Sequence, residues 1–228
     1  MVVDRKLRIM RSKRARRVAL RLDHKERVMN LVVPKGMKLD TAYAFAYENK
    51  NWIKEKLQEL PEPVPFEHGA ILPLFGENYR MNIYYDPSLR KTSIMLKENN
   101  IFVLTNKEDP TSRIVTFLKN YAQERLEVLV REKAKIIRKK VSVFKVKDTT
   151  SRWGSCAEDG EIILSWRLIF APLAAMDYVV AHEVAHLRHL HHEPTFWSLC
   201  RELSEDFLEG EYWIANHGHE LMRFGQKF

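Results

Sequence analysis

The run His182-Glu183-Val184-Ala185-His186, followed by a further histidine at His192, constrains this chain more than any other feature. On a helix, side chains four residues apart share a face, so His182 and His186 would offer two imidazoles to one point, which suits a single zinc ion. Glu183 is then placed to take a proton from a metal-bound water. A third imidazole from His192 would complete three protein ligands and leave the fourth position open, the arrangement of a catalytic zinc site. Nine histidines in 228 residues make accidental matches less rare. Even so, HExxH with a histidine ten residues after the first should arise by chance in only about 0.1% of such chains. The expectation is a zinc-dependent hydrolase, with the peptide bond as the foremost substrate.

The flanking residues predict the helix this requires. Leu173, Met176, Val180 and Leu187 recur at helical spacing, and Pro172 fits a first turn, where a missing N–H costs nothing. His189 shares a face with His186 and is a rival third ligand. A continuous helix would carry it up the axis, away from an ion held between His182 and His186. Pro194 biases Glu193 out of the helical region, so the helix should have ended near there and left His191 or His192 free to swing in. Spacing favours His192, with His191 as the alternative.

The chemistry expected is that of a metallohydrolase. Zinc lowers the pKa of its water from about 16 towards 7 and polarises a carbonyl, while Glu183 moves the proton to the leaving nitrogen. Upstream, Gly154 between Trp153 and Ser155 suggests a close backbone approach. A turn at Glu158-Asp159-Gly160 should pair this stretch with a strand over Ile162–Leu168, and an extended peptide could add to that sheet as a further strand. The plainer reading is that Trp153 and Trp166 fill the core beneath the helix. Cys156 with His182 as its base would be a cysteine hydrolase, but no signature of such enzymes surrounds it, and a small buried cysteine is the commoner case.

In order along the chain stand Arg152-Trp153-Gly154-Ser155-Cys156, a strand closing on Trp166-Arg167-Leu168, Ala171-Pro172, Asp177-Tyr178-Val179-Val180, the histidine motif and Phe196-Trp197. This series resembles the YgjP-like metallopeptidase family, which is related to the SprT-like and WLM zinc peptidases. The resemblance extends over most of the chain, through Val33-Pro34-Lys35-Gly36, Leu74-Phe75-Gly76 and Trp213-Ile214-Ala215-Asn216-His217-Gly218. It implies His182, His186 and His192 as zinc ligands, Glu183 as catalytic acid/base, and a protein or peptide substrate. The chain departs from the usual pattern at Val184 (commonly Leu) and Ser165 (often Asn). It also has His189 where many zinc peptidases have glycine, so a different turn must close the site.

Charge is unevenly spread. Residues 1–35 hold 12 Lys/Arg against 3 Asp/Glu, a surplus of nine, and the other 193 residues hold 26 against 27. Arg5, Lys6, Arg8, Arg11, Lys13, Arg14, Arg16 and Arg17 could therefore meet a polyanion or nucleic acid through phosphates. Alternation at Val18, Leu20 and Leu22, a turn over Asp23–Glu26 and a return along Val28–Val33 instead describe a hairpin whose arginines are a solvated face. No stretch approaches the length of a membrane span, no apolar leader follows the basic start, and Cys156 and Cys200 are too few for a disulfide framework. These features suggest a cytoplasmic protein.

A helix begun at Asp40 or Thr41 and carrying Phe45, Ala46, Trp52, Ile53, Leu57 and Leu60 should precede a stiff connector at Pro61, Pro63 and Pro65. Short strands follow at 71–74, 79–85, 93–96 and 101–104, with turns at Gly76–Asn78 and Glu98–Asn100. A long amphipathic helix over about 110–138 turns Ile114, Phe117, Tyr121, Leu126, Leu129 and Ile137 inward. Two closing helices, Phe196–Leu203 and Glu211–His217, end with Gly218 as a cap.

The fold class expected is α+β. Residues 1–67 form a basic hairpin-and-helix region, and residues 68–228 a zincin-like metallopeptidase domain that opens with a small β-rich region and holds one zinc ion. Arg152 and Arg188 are candidates for stabilising charge that develops on the substrate. The same metal site acting on a nucleotide or other phosphoanhydride is the rival enzyme reading. A non-catalytic nucleic-acid module with structural zinc is the third, against which three ligands and a retained glutamate both count.

Overall fold

The computed structural model describes residues 6–226, so Arg5 of the basic segment lies outside the described residues. The chain divides into two compact units, Met1–Glu62 and Pro63–Phe228. The described residues form ten strands, six α-helices and two 3-10 segments, an α+β arrangement. No helix among them is long and apolar enough to cross a membrane.

In the first unit, β2 (Ala19–Asp23) and β3 (Val28–Pro34) make the antiparallel hairpin that the alternation predicts. A strand not anticipated, β1 (Leu7–Ser12), runs parallel to β3 on its other side. Its arginines hid it, because β1 is mostly exposed and its apolar residues do not alternate with burial. Arg8 meets Glu26 at 3.7 Å, and Arg11 donates to the Met37 carbonyl. The basic stretch is thus partly an edge strand with partners of its own rather than a free arm. Met29, Leu31 and Val33 supply the sheet side of this unit's core.

The single helix expected after residue 40 is two, α1 (Leu39–Glu48) and α2 (Lys50–Gln58). Asn49 breaks it: its side-chain amide donates to the Phe45 carbonyl at 2.8 Å, the local bonding by which Asn competes with the helix ladder. Ala42, Ala46 and Ile53 face inward and Trp52 stays exposed.

The second unit begins with the four-stranded sheet β4 (Ile71–Leu74), β5 (Glu77–Tyr85), β6 (Ser93–Lys97) and β7 (Asn100–Thr105), in the order β4-β5-β7-β6. The first turn sits at Phe75–Gly76, one residue earlier than expected, with both residues at positive φ. Helix α3 (Thr111–Ile136) buries Ile114, Leu118, Ala122, Leu126, Val130 and Ala134. The inward stripe therefore runs one residue over from Phe117, Tyr121 and Leu129, which are half-buried.

A second sheet contains β8 (Val143–Lys147), β9 (Gly154–Cys156) and β10 (Glu161–Ser165), in the order β8-β10-β9. Gln123 of α3 covers the outer edge of β8, donating to the Phe144 carbonyl and accepting from the Val146 amide. β10 ends at Ser165 rather than continuing to Leu168, because residues Trp166–Phe170 turn into a buried 3-10 segment. Helices α4 (Leu173–Ala185), α5 (Pro194–Leu203) and α6 (Phe207–His217) complete the unit.

Three tethers hold α4. Lys133 of α3 meets Asp177 at 2.6 Å and also donates to the Leu203 carbonyl. Gly210 of α6 lies so close that a Cβ there would stand 2.5 Å from Tyr178 Cβ. Tyr178 packs edge-on to Phe207. Gly218 does cap α6, but at φ −50° it continues into a 3-10 segment instead of adopting the left-handed form.

Candidate metal centre

Helix α4 is buried on nearly every face, and its last two turns carry His182 and Glu183. It ends at Ala185, well before Pro194. Pro194 starts the next helix instead, at its first position, with Glu193 extended before it, as the residue preceding a proline prefers. His186 is the C-cap residue, and the eight residues from His186 to Glu193 reverse the chain.

That reversal brings His192 back onto the helix. Nε2 of His192 stands 3.1 Å from Nε2 of His182, and one ring nitrogen from each of His182, His186 and His192 lies within 4.8 Å of the others. His189 contributes through its main chain: its carbonyl lies 3.0 Å from Nδ1 of His186, an acceptor for that ring's N–H that leaves Nε2 with the lone pair. Neither His189 nor His191 joins the cluster.

The donor set fits a zinc ion. Two imidazole nitrogens sharing a tetrahedral zinc stand roughly 3.3 Å apart, close to the 3.1 Å found between His182 and His192. Ligating imidazoles must be neutral. Burial pushes His182 down to about 4, and the neighbouring His186 and His192 push in the same direction. His186 is lowered as well, chiefly by burial.

A single aromatic ring organises the cluster. Phe196 of α5 is fully buried, and its ring centre lies 4.9, 4.6 and 4.7 Å from those of His182, His186 and His192. Trp197 flanks His182 and His192 at 5.7 and 5.5 Å. Sequence reading notes Phe196-Trp197 without assigning it a task; its place two residues after Pro194, on the first turn of α5, is the signal that was there to find.

Glu183 faces β9. It is only 6% exposed, and burial raises its carboxyl to about 7 against the opposing pull of Arg152. An added Cβ at Gly154 would stand 2.5 Å from both Cγ and Oε1 of Glu183. The close backbone approach anticipated at Gly154 is therefore to this carboxylate. The β9–β10 pairing sets Gly154 opposite Leu164 and Cys156 opposite Ile162.

The other candidates take different places. Burial raises the Cys156 thiol to about 11, with Glu183 adding to the effect, so it is a poor nucleophile near neutral pH. Arg188 donates to the Ile137 carbonyl at 2.7 Å and so ties the loop after α4 to the end of α3. Trp166 is wholly buried, as its core reading supposed, and Trp153 is half-buried beside Gly218.

A family model described as YgjP-like, metallopeptidase domain, matches residues 16–217. No curated protein matches the chain. The crystal structure of the metallopeptidase zymogen of Pyrococcus abyssi abylysin is similar over 41% of this chain and 95% of its own, at 19% identity and a TM-score of 0.36. That score is too low to bear on the fold. Nothing in these matches supports a nucleic-acid contact for the basic N-terminal segment.

Proposed function

Because the chain belongs to the YgjP-like metallopeptidase family, we propose that it hydrolyses peptide bonds at a zinc site held by His182, His186 and His192, with Glu183 as general acid/base. The observation that carries this reading is the convergence of the three ring nitrogens beside a buried glutamate one residue along the same helix. Residues 68–228 are read as a zincin-like catalytic domain, and residues 1–67 as a separate N-terminal region.

Zinc bound there would supply Lewis acidity, polarising a carbonyl and lowering the pKa of water so that a base can deprotonate it for attack. Glu183 accepts the proton of the attacking water and returns it to the leaving nitrogen. Gly154 leaves room for the carboxylate to reach that position. Phe196 holds the three imidazoles in register, and the His189 carbonyl fixes the tautomer of His186. The free edge of β9 offers backbone groups to an extended substrate, which would lie as an added strand beside Glu183.

The family match favours peptide chemistry over the phosphoanhydride alternative. Chelation should abolish cleavage of an unfolded-protein pool, and zinc should restore it. Cleavage that persists after complete metal removal would sink the proposal.

A further inference from the structure

Residues 131–147 hold eight Lys/Arg and one acid, Glu132, in a unit that is otherwise far from basic. Where α3 ends, Arg131, Lys135, Arg138, Lys139 and Lys140 line a groove of about 510 Å³ floored by Ala134 and Val141. Arg131 is occupied by Glu127 at 2.6 Å. Among the described residues no carboxylate pairs with Lys135, Arg138, Lys139 or Lys140, and all four are exposed.

A helix C-terminus attracts cations, but that effect fades within the last turn. It accounts for Lys133 and Lys135, not for Lys139 and Lys140 beyond the helix. Arg138 adds a separate observation. It sits at φ 55°, with its amide bonded to the Lys135 carbonyl and that of Lys139 to the Ala134 carbonyl, the closing turn that glycine makes without strain. An ordinary residue pays about 1–2 kcal/mol there. Arg27, also left-handed, anchors the Pro61 carbonyl with its guanidinium, whereas the Arg138 guanidinium has no hydrogen-bond or ion-pair partner among the described residues and lines the groove.

The segment that carries the groove is bonded to the loop after α4 and to the turn after β9. Arg188, two residues after His186, bonds the Ile137 carbonyl. The Ser142 amide donates to Gly160, in the turn that follows β9. At about 3.3 Å per residue, a strand lying along β9 from Gly154 would come level with this turn within three or four residues. No aromatic side chain lines the groove, so it lacks the stacking platform that single-stranded nucleic acid uses.

We infer that this groove is a specificity subsite that takes acidic side chains of a polypeptide substrate, a few residues to one side of the bond to be cut. The inference rests on the peptidase reading for its placement, and its charge complementarity stands apart from that reading. Acidic segments would be drawn in by the local field and held by several carboxylate contacts.

The test uses the full-length zinc-loaded protein and the variant Lys139→Glu/Lys140→Glu, with Lys139→Ala/Lys140→Ala as a milder second variant and thermal melting to check folding. Anisotropy of a labelled oligoglutamate and of a labelled single-stranded DNA reads binding, and mass spectrometry of cut sites in an unfolded-protein pool reads specificity. The expected result is oligoglutamate binding weakened roughly tenfold by the charge reversal and by added salt. Asp and Glu should be enriched near the wild-type cut sites and lose that enrichment in the variant. Unchanged oligoglutamate binding in a folded variant would overturn the inference. So would much tighter DNA binding with cut sites indifferent to acidic residues, which would make the groove a nucleic-acid site. Oligoglutamate binding that depends on Lys139 and Lys140, with no cleavage of any protein, would sustain the acidic-segment site and count against the peptidase reading alone.

Discussion

The backbone of Gly154 on β9 packs directly against the carboxylate of Glu183 on α4, with room for a hydrogen but not for a methyl group: a Cβ would stand 2.5 Å from Oε1. Gly154→Ala should therefore push Glu183 aside while sparing the histidines. Turnover should fall on the order of 100-fold, the scale of a roughly 1 Å misplacement, with zinc content unchanged. Parallel loss of zinc would place the damage elsewhere.

Phe196 touches all three imidazoles, so its removal should act on metal affinity. Phe196→Leu should weaken zinc binding about 10- to 100-fold, as changes in supporting residues do. Competition with a chelating dye would read this directly, and wild-type affinity in a folded variant would show that the ring only fills space.

Both thiols are shielded. Burial raises Cys156 to about 11 and Cys200 to about 12, with Glu183 adding to each. Cys156→Ser should turn over near the wild-type rate, and alkylation at pH 8 should be slow. A thiol whose pKa is higher folded than unfolded contributes its stability below the unfolded value, and loses it as pH rises towards the folded one. Between about pH 9 and pH 12, then, Cys200 should steepen the loss of stability by up to about 1.4 kcal/mol per pH unit. Cys200→Ala should remove that slope, and denaturant titrations at several alkaline pH values would show whether it does.

Arg167, 5% exposed, meets Asp148 at 3.1 Å and donates to the Leu221 and Phe224 carbonyls. Arg167→Leu removes the one guanidinium these three groups share and should cost about 3–5 kcal/mol. Urea unfolding would measure it; a change below 1 kcal/mol would mean the pair is dispensable.

Local patterns in this chain are legible from sequence, and contacts between distant elements are not. The strands β4 to β7 follow alternation and turn residues, so their places can be read within about two residues. The grouping of His182 with His186 follows helical period alone. The return of His192 depends on where α4 stops, and Pro194 misleads there because it starts α5 instead of ending α4. The meeting of Gly154 with Glu183 spans two elements, and only the β9–β10 register and the packing of α4 bring it about. Asn49 splits a helix by a side-chain hydrogen bond that apolar periodicity does not register. β1 escapes notice because an exposed edge strand can carry arginines without burying its apolar residues.

Glu183→Gln tests the central claim most directly, measured as zinc per chain together with the rate of cleavage of an unfolded-protein substrate. The account predicts a full complement of zinc and a rate lower by about 100- to 10,000-fold, the usual contribution of a positioned acid/base. Wild-type turnover by the zinc-loaded Glu183→Gln protein would contradict it.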